Sequence, residues 1–392
     1  MFSSSRPAVI AGGGLGGLTA ALALAQQGAK VAVFEQAPEF GAIGYGIQLG
    51  PNVFKMFETL GIREEVLSRT FRSTGLRMID AFSGDTILHI PTDAAYEAHF
   101  GHPYAVIHRM DLHEVLLEAC RANSNVELTD TAAVSGFEDL GDGVRVSYGD
   151  GRMIDGALLV AADGLRSGIR GMIVNDGEPR AVGYAAHRTL LPMSVVPEHL
   201  RSSDVVLWSG PSMHIVHYPL RRGELFNLVA VFKTPRYDSR DNPDILKREL
   251  QETYAETHPS MRALLDLMTV DRRWPITDRD PVRKWNRGHV CLLGDAAHPT
   301  SQSLAQGAGM AIEDAVYLAR ILAKDSSDIP SALERFARGR YLRTARVQLE
   351  SRQLWEFFHL DDPIAIEVRN QQQSEMRTED YYRCLGWLWH GI

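Results

Sequence analysis

The period of hydrophobic and polar positions changes several times along the chain, and each change marks an element. Residues 8–11 are all apolar and follow Pro7, the pattern of a short buried strand. Residues 12–17 are glycine except for Leu15. Residues 18–27 are rich in Ala and Leu, a helix that Gly28 stops, and 30–35 return to strand periodicity. Strand, glycine turn, helix and strand in that order make a β-α-β unit. Further on, 52–60 predicts an amphipathic helix ended by Gly61, and 75–90 a hairpin turning at Ser83-Gly84. Residues 111–121 predict a helix with Asp111 as its cap. Short strands separated by Gly-Asp-Gly turns at 141–143 and 149–151 lead into the apolar run 157–162. Runs near 205–209, 214–218 and 225–233 make the middle strand-rich, 290–293 is another buried strand, and the chain beyond Glu313 is helical.

These elements fall into two kinds. Helix-and-strand segments occupy 1–72, 100–180 and 285–350; strand-rich segments occupy 73–99 and 181–284; 351–392 is helical. The prediction is one discontinuous cofactor domain with a β-sheet domain grafted in. A chain of 392 residues is long enough for both cores. With 41 Lys and Arg against 49 Asp and Glu, the net charge of −8 argues against a nucleic-acid groove. Cys120, Cys291 and Cys384 are too dispersed for a disulfide framework or a structural zinc, so no metal is expected. That usage fits a reducing cytoplasm. No signal-peptide core and no run approaching 18 apolar residues is present, so neither export nor a membrane span is expected.

Candidate chemistry sits at both ends of the chain. Gly12, Gly14 and Gly17 satisfy G-x-G-x-x-G between a strand and a helix: a tight turn, close approach to a pyrophosphate, and close helix packing, with the helix N-terminus facing phosphate charge. Glu35 follows 18 residues after Gly17, at the end of the second strand, where an acid can accept ribose hydroxyls. A second signal is Ala162-Asp163-Gly164, in which Asp163 either caps a helix or faces a second part of the ligand. Near the other end, the strand 290–293 runs into Gly294-Asp295, a polar loop and a Gly-rich helix start at Gly307 and Gly309. Two nucleotide-like segments about 280 residues apart imply one chain closing around a single large cofactor.

In this order and spacing, the three motifs resemble those of the single-component FAD-dependent aromatic hydroxylases, the 4-hydroxybenzoate hydroxylase-like class. The resemblance implies an α/β fold: a Rossmann-like FAD-binding domain of glutathione reductase type with an inserted β-sheet substrate domain and a helical C-terminus. It also implies FAD as cofactor, NADH or NADPH as transient electron donor, O2 and a small aromatic acid as reactants, and a homodimer. Carried over residue by residue, the first motif, including Leu15, holds the adenosine end. Arg109 in His108-Arg109-Met110 lies near the phosphates, Asp163 contacts FAD and the nicotinamide, and Asp295 contacts the ribityl chain. Gly307, Ala308 and Met310 lie against the flavin. No second dinucleotide motif and no redox cysteine pair is seen, which fits a donor that binds only transiently.

Four stretches carry a narrower likeness to the branch acting on 3-hydroxybenzoate: 41–52, 103–113, 214–220, and the tail around Trp387 and Trp389. On a strand at 214–218, His214, Val216 and Tyr218 share one face. A His and a Tyr flanking a Val suit a phenol, with His214 as base; the same pattern also suits an ordinary surface strand. Gln302 departs from the proline common in the class and offers an amide to a phenol. Gln48 and Tyr104 are placed in the same cavity or beside the flavin. His187 and Arg188 are left between a cavity role and a domain-interface role. The implied reaction converts 3-hydroxybenzoate to 2,5-dihydroxybenzoate. Its rivals are a decarboxylating hydroxylase of 6-hydroxynicotinate or salicylate and an FAD-binding protein that does not hydroxylate.

Overall fold

The structure, a computed structural model, describes residues 6–41, 44–238 and 240–392. The expectations about the extreme N-terminus, and part of the 41–52 stretch, lie outside the described residues.

A six-stranded sheet forms the first layer, in the order Asn286–Arg287, Val290–Leu292, Leu158–Ala161, Ala8–Ala11, Val31–Phe34, Val126–Thr129. All pairs are parallel except the Asn286–Arg287 edge. Its central strands are apolar at every position because helices or sheet cover both faces. The helix Leu15–Gln26 packs between this sheet and Gly307–Lys324. It begins three residues earlier than the apolar pattern indicates, taking Gly16 and Gly17 into its first turn. The packing explains this: a Cβ on Gly17 would sit 1.9 Å from the carbonyl oxygen of Gly12, so only glycine allows strand, turn and helix to close together.

A second, seven-stranded sheet has the order Trp274–Asp278, Arg180–Pro192, Leu225–Lys233, Met213–Leu220, Val205–Gly210, Gly75–Asp80, Thr86–Pro91. Its order is not sequential. The predicted hairpin joins the far edge through a parallel pairing of Gly75–Asp80 with Val205–Gly210. One face packs Ile215, Phe226, Leu228 and Phe232 against the helices Pro243–Thr253 and Pro259–Asp266. Each such large apolar side chain contributes about 1.5–3 kcal/mol on burial. The other face, one residue out of phase, turns toward the first layer.

The helix predicted at 111–121 begins at Arg109, with His108 as the flanking residue. Asp111 does not cap it: its carboxylate accepts hydrogen bonds from Arg221 at 2.7 and 3.0 Å, so an ion pair to the second sheet takes the group that capping would use. The C-terminal region is three helices. Ile329–Phe358 runs for 30 residues from an Asp328 cap. Pro363–Glu375 and Thr378–Trp389 then fold back, and Arg343 donates to the carbonyls of Trp387 and Leu388. Among the described residues, no helix is long and apolar enough to cross a membrane.

Candidate active site

A cavity of about 1250 Å³ lies between the two sheets. That exceeds the 300–1000 Å³ usual for one small ligand and leaves room for a dinucleotide with a second molecule beside it.

At one end the lining is the turn after Ala8–Ala11. Gly12, Gly14, Leu15 and Gly16 face the cavity. A Cβ on Gly14 would meet nothing within 4 Å, so the turn leaves open space at its tip. Gly17 is not in the wall. Glu35 is, although its oxygens already accept from the amides of Gly13 and Ala37 at 2.6 and 2.8 Å. The buried ring of His113 bonds the carbonyl of Gly13 at 2.8 Å and so holds the turn from behind.

Arg109 and Asp163 line the middle. The cap of the following helix is Ser167, whose hydroxyl accepts from the amide of Arg170. Asp163 accepts from the amide of Ile169 at 3.4 Å, with the Ser167 side chain and the Gly168 amide close by, and its Oδ1 is buried without a hydrogen-bond partner. Burial raises its pKa. Gly294, Asp295, Gly307, Ala308 and Ala311 continue the wall. Asp295 is exposed to the cavity, and desolvation by the protein around it raises its pKa too. Met310 differs from expectation in placement: its side chain turns into the core beside Arg340, because the helix presents positions 307, 308 and 311 on one face. The loop is held by Asp314, which accepts from His298 at 2.5 Å, from the amide of Gly294 at 3.2 Å and from Arg340 at 2.6 Å.

At the far end, His214, Val216 and Tyr218 face the cavity, while Ile215 packs into the core and His217 turns to Trp208. Tyr104 donates to Gln48 at 2.5 Å, and both are in the wall. Burial pushes the phenols of Tyr104 and Tyr218 up, so both stay protonated as donors. Arg188 lines the cavity, donates to Gln302 at 2.6 Å, lies 5.7 Å from the Tyr45 ring, and has no carboxylate partner among the described residues. Burial pulls its pKa down. Its neighbour His187 points the other way, to the carbonyl of Arg272 and the ring of Phe232, so strand alternation separates the two residues left open by the sequence. His214 is buried, and its pKa is lowered well below the usual value by burial first, then by His359 and Arg188. Its Nδ1 lies 2.7 Å from Nε2 of His359. His359 ends the long helix, 145 residues away, and nothing in its sequence setting marks it as part of a site.

Open space at the glycine turn, an unpartnered buried carboxylate oxygen at Asp163, and Asp295 and Arg109 open to the cavity together fit an extended dinucleotide. No cluster of metal-ligating side chains occurs among the described residues.

Comparison with known proteins agrees. A family profile described as an FAD binding domain matches residues 6–345. The chain is 41% identical over 384 residues to 3-hydroxybenzoate 6-hydroxylase of Polaromonas naphthalenivorans (strain CJ2), covering 98% of this chain and 95% of the relative. It is 39% identical to 3-hydroxybenzoate 6-hydroxylase 1 of Aquipseudomonas alcaligenes, over 97% and 96%. Among solved structures, Klebsiella pneumoniae HpxO complexed with FAD and uric acid superposes with a TM-score of 0.88 at 26% identity, covering 100% of this chain and 98% of that one.

Proposed function

The chain belongs to the FAD-binding-domain family and is an FAD-dependent monooxygenase; from that premise we propose that it hydroxylates 3-hydroxybenzoate at ring position 6, giving 2,5-dihydroxybenzoate. The observation that carries this reading is the far wall of the cavity, where a neutral buried imidazole stands beside a guanidinium without a carboxylate partner.

Each group has a task under this reading. Arg188 takes the substrate carboxylate, because a buried cation without an acid partner gains most from one. Gln302 orients Arg188 through their hydrogen bond. Tyr218, a protonated donor on the same face, holds the ring oxygens, with the Tyr104–Gln48 pair behind it. Leu207, Val216 and Val229 supply an apolar wall that excludes water. His214 offers Nε2 to the phenol: Nδ1 is occupied by His359, and Nε2 has no protein partner among the described residues. Loss of the phenolic proton sends electron density to the para carbon, position 6, the site of attack. At the other end, Gly12, Gly14, Leu15, Glu35, Arg109, Asp163, Asp295, Gly307 and Ala308 hold FAD, and Gly17 lets the turn close. When bound and reduced by the nicotinamide, FAD would activate O2, so that one oxygen atom could pass to the ring and the other leave as water. NADH or NADPH completes the set of reactants.

Incubation of the FAD-loaded enzyme with 3-hydroxybenzoate and each nicotinamide, following O2 uptake and product by chromatography, tests the reading. Substrate-stimulated O2 uptake with 2,5-dihydroxybenzoate as product is expected. Release of carbon dioxide would replace it with a decarboxylating hydroxylation, and no stimulation by any hydroxybenzoate or hydroxypyridine acid would remove the enzymatic reading.

A further inference from the structure

We propose that Asn227 is a positioning residue for this hydroxylation: it pins the strand Gly46–Leu49 to the substrate face of the cavity and so sets the gap between substrate and cofactor. The proposal rests on the reading above, in which Tyr218 holds the substrate ring.

On the strand Leu225–Lys233, Asn227 shares a face with Leu225, Val229 and Val231, the face that turns to the cavity at Val229. Amid these apolar neighbours the asparagine is fully buried. Its Oδ1 accepts from the amide of Gly46 at 2.9 Å, 181 residues away. Of the two ends of a side-chain amide only the oxygen can accept an N–H, so this bond fixes which way the group points. Nδ2 is then buried without a hydrogen-bond partner among the described residues. An apolar side chain of the same size would strand the Gly46 amide and remove the orphan at Nδ2, one unmet group for another. The asparagine therefore adds little to stability; what it supplies is a fixed place for Gly46.

The strand Gly46–Leu49 lies at the edge of a three-stranded sheet with Ala105–His108 and Phe71–Arg72. The carbonyl of Tyr45 accepts from the amide of Arg109 on the paired side, so the amide of Gly46 points to the open edge, where Asn227 takes it. Tyr218 pairs with Asn227 across the strands of the larger sheet, and its phenol lies against Gly46: a Cβ there would come within 2.5 Å of the ring and 2.7 Å of the hydroxyl oxygen. Two residues on, Gln48 accepts from Tyr104 in the cavity wall. Asn52 then donates to Gln306 at 3.0 Å and to Glu313 at 2.8 Å, on the helix whose Gly307, Ala308 and Ala311 line the cofactor end. Residues 46–52 are thus a strut with an asparagine bond at each end, one to the substrate sheet and one to the cofactor helix. Releasing the Asn227 end lets the substrate wall shift against the cofactor wall, and a misplacement of about 1 Å costs up to about 10²-fold in rate.

The test compares FAD-loaded wild type, Asn227→Leu and Asn227→Asp. Each is titrated with 3-hydroxybenzoate while the flavin absorption bands are followed. Each is then assayed for 2,5-dihydroxybenzoate formed and hydrogen peroxide released per nicotinamide oxidised. Asn227→Leu keeps the volume and loses the acceptor. It should stay yellow and folded, with KM within about twofold of wild type, because Arg188 still takes the carboxylate. Its kcat for product should fall about tenfold, with peroxide making up the difference, and the change in flavin absorption on substrate binding should differ from wild type. Asn227→Asp keeps an oxygen for Gly46 and should recover most of the coupling. Wild-type coupling and spectrum in Asn227→Leu would overturn the proposal. So would lost FAD or a lowered Tm with coupling intact, the mark of a purely structural residue. If the Leu variant does not fold, Asn227→Ala, which removes the same bond, decides by the same readouts. A wild type that forms no 2,5-dihydroxybenzoate would instead overturn the reading of the function, whatever the variants do.

Discussion

Gly12, Gly14 and Gly16 meet the cavity with backbone, whereas His214, Arg188 and Gln302 meet it with side chains. The first group lies within five residues of continuous chain; the second comes from two strands and a loop, and its support from the end of a helix. Backbone recognition of phosphate needs a particular path of the chain, and a path is written locally. Recognition of a phenol needs groups of particular pKa at particular separations, and these are brought together only by the tertiary fold. The cofactor end should therefore fail abruptly when its path is blocked, and the substrate end gradually, one function at a time.

Gly17→Ala gives the sharpest break. Its methyl would overlap the carbonyl of Gly12, and backbone has nowhere to move, so we expect loss of FAD and of the folded first layer, seen as colourless protein with a collapsed melting transition. His214→Gln should leave the enzyme yellow and folded while kcat for 3-hydroxybenzoate falls about 10²–10³-fold, measured with product formation per NADH consumed. Retained coupling would break the contrast between the two ends. Arg188→Gln should raise KM for the acid about 10–100-fold, the worth of a charge-assisted hydrogen bond, with little change for the neutral 3-hydroxybenzamide.

Acid provides a test that reaches the second sheet. Burial lowers His187 to about 4, and His217 and His359 to about 3. Unfolded, each binds a proton near pH 6.5, so between 6.5 and these values the unfolded chain holds more protons than the folded one. Stability should fall as pH drops through that window, by up to about 1.4 kcal/mol per pH unit for each group. His217→Asn should flatten the acid limb of Tm against pH. The smallest effect concerns Ala305, at φ 52° beside Gln302. Ala305→Gly should relieve about 1 kcal/mol of left-handed strain, partly offset by chain entropy. Tm should therefore shift by no more than a degree or two, while Gln302 loses some of its hold on Arg188 and KM rises slightly.

The same contrast explains what could be read in advance. The β-α-β opening, the glycine turn, Glu35 and Gly294-Asp295 were legible because each is a short run whose spacing states its geometry. The alternation of His214, Val216 and Tyr218 was legible for the same reason. The order of the second sheet was not: the parallel pairing of Gly75–Asp80 with Val205–Gly210 joins segments 130 residues apart, which local periodicity does not encode. Arg188 could be separated from His187 only once the strand's buried face was known. His359 carried no signal at all, being one polar residue at the end of a mixed helix.

That helix, Ile329–Phe358, spans about 45 Å at 1.5 Å per residue. Arg340, near its middle, pairs with Asp314 beneath the loop at Gly294, and its last turn delivers His359 to His214. The helix thus works as a ruler between two landmarks, with its length in residues as the graduation. One residue inserted between 341 and 358 would advance the end by about 1.5 Å and swing it through about 100°, leaving the cofactor landmark intact and carrying the histidine away. Loops elsewhere on the surface can drift in length; this interval cannot.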